Sequence, residues 1–474
     1  MKHFIYYIMC VLVGATALTG CIEDSISTSP SDQPRFEADT LSMGTVFTGE
    51  GTPTMRFKVF NPGSKVISID RIALRDNCTD AQWRFNVDGI SGKVFTDVEI
   101  RPNDSIFIFA EVTLPDMRGT ELRSYVDHLD FTTRGVTQSV TLTAEGMDAE
   151  RLHGVTLDAD THLTADRPYI VYDSLVVAPG ATLTLEPGTR LLFHSDASLI
   201  VDGTLRSIGT AAQPVEMTGD RLGTVVGRVD YEIMSGQWQG VFFSSTSQAN
   251  EMEYTSVRNT TWGVNVMETP YTDDVPSLSL FNCQLRNSKD FALLSLHSSV
   301  KAVGCELADA SAGVVYLQGG RALISNSTIA NYYLFTAVGP AVQFSHAFAD
   351  EEGWDAESGL PMLVAEFHNC IIYGNGQDLS HGDLTGSQIF MRRCLFKSAG
   401  SDDDNFLECI WGEDPLYFTV REDYHFDYRL KQGSPAIGAA APELIPVDLT
   451  TDRYGISRND LTLGAYSFDP TVSE

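Results

Sequence analysis

The sequence predicts an all-β chain in two parts, an antiparallel β-sandwich followed by a coil of short parallel strands. Three observations carry this. Residues 36–147 hold short alternating apolar runs bounded by turn residues, with no helical period. From residue 154 onward a small residue recurs two places before an apolar one, at spacings of 28, 22, 22, 43 and 24. Two places past each apolar position stands a turn former, where one rung of a right-handed parallel β-helix has to bend. Composition bounds the rest. A 474-residue chain that is 43% hydrophobic and 10% aromatic is not globally disordered. Its 63 Asp and Glu against 32 Lys and Arg give a formal charge of −31, which argues against a nucleic-acid partner.

The first element lies outside the fold. Met1-Lys2-His3 and the apolar run 4–18 read as a secretion signal over residues 1–20, too short for a stable spanning helix. Leu18-Thr19-Gly20-Cys21 resembles a bacterial lipoprotein lipobox. That resemblance implies cleavage before Cys21 and its acylation, so that several chains together hold the protein to a membrane. Ile22-Glu23-Asp24 resembles the acidic export signal of Bacteroidota surface lipoproteins, which implies an outer-membrane location facing the exterior. Residues 21–35, polar and rich in Ser and Pro, form a flexible tether.

Within 36–147, strands such as Met55-Arg56-Phe57-Lys58-Val59-Phe60 end at Asn61-Pro62-Gly63, and 105–112 follows Pro102-Asn103-Asp104. This order resembles the immunoglobulin-like domains found beside bacterial surface modules. No catalytic constellation is visible here, and the expected role is a spacer.

The coil is expected over 148–412, completed or capped by 413–474. Its pairs are Thr255 with Val257, Cys283 with Leu285, Cys305 with Leu307, Ser327 with Ile329, Cys370 with Ile372 and Cys394 with Phe396. The bends are Asn259, Asn287, Asp309, Asn331, Gly374 and Ser398, residue types that mostly tolerate left-handed backbone. The position two before the small residue (Glu253, Phe281, Val303, Ser325, His368, Arg392) makes a poor third inward column. Four cysteines share a column with Thr and Ser, so small size and burial are the requirement and free thiols the expectation. On neighbouring rungs Cys283 and Cys305 stand about 4.8 Å apart at Cα, within reach of a disulfide. No Cys or His spacing suits zinc.

Further segments resemble the β-helix repeat family. Val176-Val177-Ala178-Pro179-Gly180-Ala181-Thr182-Leu183 resembles its entry rungs, and Trp238-Gln239-Gly240-Val241 its Trp-x-Gly signature. Gly433-Ser434-Pro435-Ala436-Ile437-Gly438 and Asp452-Arg453-Tyr454-Gly455, with Leu463-Gly464-Ala465-Tyr466, resemble its closing motif, although Ser467 stands where the family often has an acid. The shape is shared by sugar lyases, hydrolases and non-catalytic adhesins.

Function is sought where the spacing lengthens. One loop carries Tyr271, Asp273 and Asp274; the other carries Asp350, Glu351, Glu352, Trp354 and Asp355. Both precede the strand that returns to the small-residue column, so two acidic loops with one aromatic each are expected to wall a groove. Pectin-degrading relatives of this shape bind sugar chains in such grooves, with carboxylates on Ca²⁺; that ion is the one cofactor the resemblance leaves open. An elimination needs a Lys or Arg base, and Arg392 is the best-placed one, in an Arg392-Arg393 pair at a rung start of which one member must face outward and the other inward. An inverting hydrolase needs two carboxyl groups about 6.5–9.5 Å apart. His297, His346, His368 and His381 have no partner legible in the sequence. The expectation is a non-catalytic surface scaffold for a glycan, a host molecule or an outer-membrane protein. A lyase or hydrolase is the rival, and an accessory subunit of an outer-membrane assembly the third alternative.

Overall fold

A computed structural model of the chain describes residues 25–117, 119–221, 223–226, 229–335, 338–345, 363–381, 388–419 and 421–472. The chain is all-β and divides between Asp148 and Ala149 into two compact units. In the first unit, strands Arg35–Phe36, Met55–Phe60, Ser105–Thr113, Gln82–Val87 and Ile90–Gly92 lie side by side in one sheet. Strands Thr40–Phe47, Val136–Met147, Arg123–Thr133, Ile67–Leu74 and Val94–Ile100 make the other. Strict alternation sets the faces: Ile106, Ile108, Ala110 and Val112 of one strand all point inward and are buried. Val59, Phe85 and Ile108 from the first sheet share a core with Ile69, Leu129 and Leu142 from the second, as in a sandwich. One strand pairing departs from the antiparallel expectation, because Thr40–Phe47 runs parallel to Val136–Met147 with a register shift between Thr143 and Glu145.

The second unit is a parallel β-helix. Gln284 pairs with Glu306, Glu306 with Thr328, Thr328 with Ile371, Ile371 with Leu395 and Leu395 with Ile410. The preceding residues Cys283, Cys305, Ser327, Cys370, Cys394 and Cys409 therefore form one vertical file, with Cys409 a member that the spacing pattern missed. Leu285, Leu307, Ile329, Ile372 and Phe396 form the expected apolar column beside it, all at most 1% exposed. The third inward column is Met252, Leu280, Ala302, Ile324, Phe367 and Met391, one place earlier than the sequence suggested.

The reason for the shift is the corner. Tyr254, Asn282, Gly304, Asn326, Asn369 and Arg393 hold φ between 43° and 68°, so the chain turns left-handed between the third column and the file of small residues. The poor third column of the sequence thus faces outward. At each turn the small side chain caps the carbonyl two residues back, Ser327 Oγ donating to Ser325 O at 2.9 Å and Cys370 Sγ to His368 O at 3.3 Å. Thr, Ser and Cys share the file because the corner needs a compact donor as well as burial. All six cysteines of the described chain are free. Cys305→Ser keeps the donor and is expected to shift unfolding free energy by less than about 1 kcal/mol. Cys305→Leu overfills the file and is expected to cost about 1–3 kcal/mol. Urea denaturation checks both, and in the native protein the four buried thiols should resist alkylation.

The segment after residue 412, expected to complete or cap the coil, lies along its flank as a strap. Thr451 meets Tyr254 at 3.3 Å, Asn369 exchanges two hydrogen bonds with Ala441, and Ala465 N donates to Thr328 Oγ1. Tyr417, Tyr428, Leu430, Ala436, Leu463 and Tyr466 pack on the outward Ala308, Ala330, Ile371 and Leu395 as a second core. The closing motif is a set of backbone clasps: Asp452 accepts from Tyr454, Ile456 and Ser467 N–H groups, and Arg458 donates to the carbonyls of Thr462, Gly464 and Ala465.

Beneath the strap lies a buried ionic cluster. Glu306 accepts from Gln284 at 2.9 Å and from the Tyr466 hydroxyl at 2.5 Å, and lies 3.5 Å from Arg286. Asp309 accepts from the Tyr428 hydroxyl at 2.5 Å and the Tyr332 N–H at 3.1 Å. Burial works against the Arg286 charge, but the Glu306 and Asp309 carboxylates outweigh it and raise its pKa. Burial pushes the Asp309 carboxyl up to about 6 against the pull of Arg286 and Tyr428.

Candidate functional site

An open groove of about 670 Å³ runs across the outward face of the rungs beside the corner. Its floor alternates with the buried columns. Lys301 pairs with Leu323 and Leu323 with Glu366, while Ser299 pairs with Arg321 and Arg321 with Val364, which sits beside Gln388. These side chains point out because Val300, Ala302, Ala322, Ile324, Ala365 and Phe367 between them point in.

One wall is the first of the two expected loops. Its base is fixed where Ser277 Oγ donates to Thr269 O at 2.6 Å, and its tip is closed by the Thr272 N–H to Val275 O bond of 2.9 Å. Thr272, Asp273, Asp274 and Pro276 line the groove. Asp273 ion-pairs with Arg321 at 2.7 Å, and the Arg321 guanidinium lies 5.9 Å from the centre of the Tyr271 ring. The other described wall is Glu443, Leu444, Ile445 and Pro446 of the strap, held where Ser325 Oγ donates to Leu444 O. Asp350, Glu351, Glu352, Trp354 and Asp355 of the second expected loop lie outside the described residues, as do His346 and the lipidation candidate Cys21.

His368, solitary in the sequence, gains a neighbour on the groove floor: its Nε2 lies 3.0 Å from Glu366 Oε2, two residues back on the same strand face. Burial lowers the His368 pKa, with Glu366 opposing, so the ring is neutral at neutral pH. Arg392 sits one rung beyond His368 with its guanidinium 5.9 Å from the Phe390 ring, next to the groove but not among its lining residues. Neither arginine of the pair has to point inward, because Arg393 occupies the left-handed corner, which turns its side chain out of the coil to pair with Glu408 at 2.8 Å.

The groove thus joins two cations, Lys301 and Arg321, to four carboxylates, Asp273, Asp274, Glu366 and Glu443. Among the described residues no group of three or more His, Cys, Asp or Glu side chains is placed to hold a metal ion. The acidic turn 401–405 is committed to backbone: Asp402 accepts from the Glu408 and Cys409 N–H groups and Asp403 from those of Asn405 and Phe406. Sequence reasoning missed Lys301, Arg321, Glu366 and the strap wall. The first three share one legible trait, outward positions on adjoining rungs, which the corrected register exposes.

No family model matches the chain, and no curated protein does. Among solved structures, the VesB protease of Vibrio cholerae aligns at 13% identity and a TM-score of 0.18, over 24% of this chain and 32% of that one. A family 123 glycoside hydrolase from Clostridium perfringens aligns at 9% identity and 0.16, over 24% and 26%. The chain spans about a third or less of either protein's length, and likenesses this small carry no argument about fold or function.

Proposed function

We propose that this chain is a cell-surface outer-membrane lipoprotein whose β-helix serves as a non-catalytic binding scaffold, with an acidic glycan strand as ligand of the groove. The lipobox-like Leu18-Thr19-Gly20-Cys21 and the acid after it support the anchor and its outward location, and the sandwich then acts as an immunoglobulin-like spacer. The groove reading rests on one observation. Arg321 on the floor holds the carboxylate of Asp273, whose side chain is 86% exposed. An exposed pair of this kind is worth about 0–1 kcal/mol, so an incoming sugar carboxylate can take the place of Asp273. Tyr271 offers its ring beside the same guanidinium.

Affinity electrophoresis in polygalacturonate gels tests this. Arg321→Ala is expected to weaken retention about tenfold, the scale of one lost charge-assisted hydrogen bond. Asp273→Ala, which removes the competing carboxylate, is expected to leave retention unchanged or increase it. Unaltered retention in Arg321→Ala would sink the assignment. One observation favours a catalytic second reading, the neutral His368 beside Glu366 on the groove floor, a base with an orienting carboxylate. Its mark would be unsaturated, ultraviolet-absorbing product from polyuronates, lost in His368→Ala.

A further inference from the structure

A different face of the coil carries a different chemistry. Six successive strand segments stack there, residues 198–201, 240–243, 264–267, 291–296, 313–318 and 342–345. None contains Asp, Glu, Lys or Arg, in a chain with 63 acidic and 32 basic residues. The adjoining sheet, by contrast, presents Lys301, Arg321 and Glu366 at its outward positions. The strand segments of one outward face therefore carry no charge, where solvent alone would favour it, and Glu268 stands at their margin.

What replaces it is a row of partly buried apolar and aromatic groups. Ile200, Phe242, Leu294 and Tyr316 follow one another in a single outward column, interrupted by the buried Asn265 and continued by Gln343. Phe291 stacks on Tyr316 with ring centres 5.2 Å apart. Trp262 and Met267 at the margins are 46% and 44% exposed. The row borders an open cavity of about 630 Å³, with Phe242, Met267 and Leu296 as apolar lining and Ser244, Glu268 and Gln318 as polar points. Mostly apolar walls with a few convergent polar groups are the make-up of a small-molecule site. The Tyr316 hydroxyl donates to Gln318 Oε1 at 3.0 Å, and the amide nitrogen of Gln318 is a donor only.

We propose that this face is a second binding site, for a neutral polysaccharide chain lying along the stacking direction of the rungs. Sugar rings present an apolar face of C–H groups to rings such as Tyr316, Phe242 and Trp262, while their hydroxyls take hydrogen bonds from amides and hydroxyls. Rungs about 4.8 Å apart repeat this offer at regular steps, which suits a repeating chain. An acidic chain finds no cation here, so the two faces differ in ligand class, and this site stands whether or not the groove assignment does.

Native gels containing hydroxyethylcellulose or galactomannan provide the test, with the whole chain as sample. The wild-type chain should be retarded in at least one gel. Tyr316→Ala and Trp262→Ala should each weaken that retardation about tenfold, and Arg321→Ala should leave it unchanged. Met267→Ala, at an exposed margin, serves with the others in a thermal-melt check that the coil remains folded. Absence of retardation for the wild type in both gels overturns the proposal. So does retardation lost in Arg321→Ala but kept in Tyr316→Ala. Concentration-dependent self-association abolished by Phe242→Ala would assign the face to a second copy of the chain instead.

Discussion

Trp238→Ala is expected to destabilise the β-helix by about 3–5 kcal/mol, the cost of emptying the space of a large buried ring. Trp238 is fully buried, its indole stacks on Phe193 with ring centres 4.0 Å apart, and its Nε1 donates to Arg258 O at 2.7 Å. The ring fills the coil beside a rung boundary, where neighbouring rungs cannot collapse without breaking their ladders. Trp238→Phe keeps most of the packing and leaves the Arg258 carbonyl without this donor, so about 1–3 kcal/mol is expected. Urea unfolding of both variants, followed by far-ultraviolet circular dichroism, decides. Equal losses would show that the indole N–H, and not the ring volume, carries the Trp-x-Gly signature.

Arg286→Met is expected to cost about 3–5 kcal/mol at neutral pH, since it leaves Glu306 and Asp309 buried without their cation. The loss should be smaller near pH 5, where a proton can neutralise Asp309. In the wild type, the Asp309 pKa of about 6 lies above the unfolded carboxyl value of about 3.9. The folded chain therefore binds this proton more tightly than the unfolded one. The contribution of Asp309 is fully present below about pH 4 and is lost as pH rises through about 6, by roughly 3 kcal/mol over the window. Asp309→Asn should flatten that part of the stability profile. Thermal melts across this range check the sign: a wild-type coil that gains stability from this site as pH rises would contradict the assignment.

Much of the coil was legible in the sequence because its physics is periodic. A small donor at each corner and an apolar side chain two places on repeat rung after rung, and Cys283, Cys305 and Ser327 stand in file as that pattern required. The misplaced third column came from the corner itself. A left-handed residue such as Asn282 or Asn369 breaks the in–out alternation, so counting by twos across it reverses the face. That one-residue shift hides the groove floor from a count by twos, which places His368 and Arg392 in the inward stack and passes over Glu366. The strap was illegible for another reason. Tyr466 reaches Glu306 across 160 residues of sequence, and Ala441 reaches Asn369, through contacts that recur at no period. The closing motif showed that something specific lay there; only the fold shows what it grips. Bends read as turn formers also proved to have a second use, since Asn259 Nδ2 donates to the carbonyls of Glu232 and Met234 and Asn287 Nδ2 to that of Glu232.

A stack of laps can ordinarily be lengthened by duplication, since each lap touches only the ones above and below. The C-terminal strap removes that freedom over its own span. It meets the coil at Tyr254, Glu306, Asp309, Thr328 and Asn369 through a tail of fixed reach. A lap inserted among these points would pull every later anchor out of register by one storey. Growth of this molecule over evolutionary time is therefore confined to laps outside the strapped span and to the side loops. The strap is a gauge as well as a fastening, and it fixes how tall the strapped part of the tower can be.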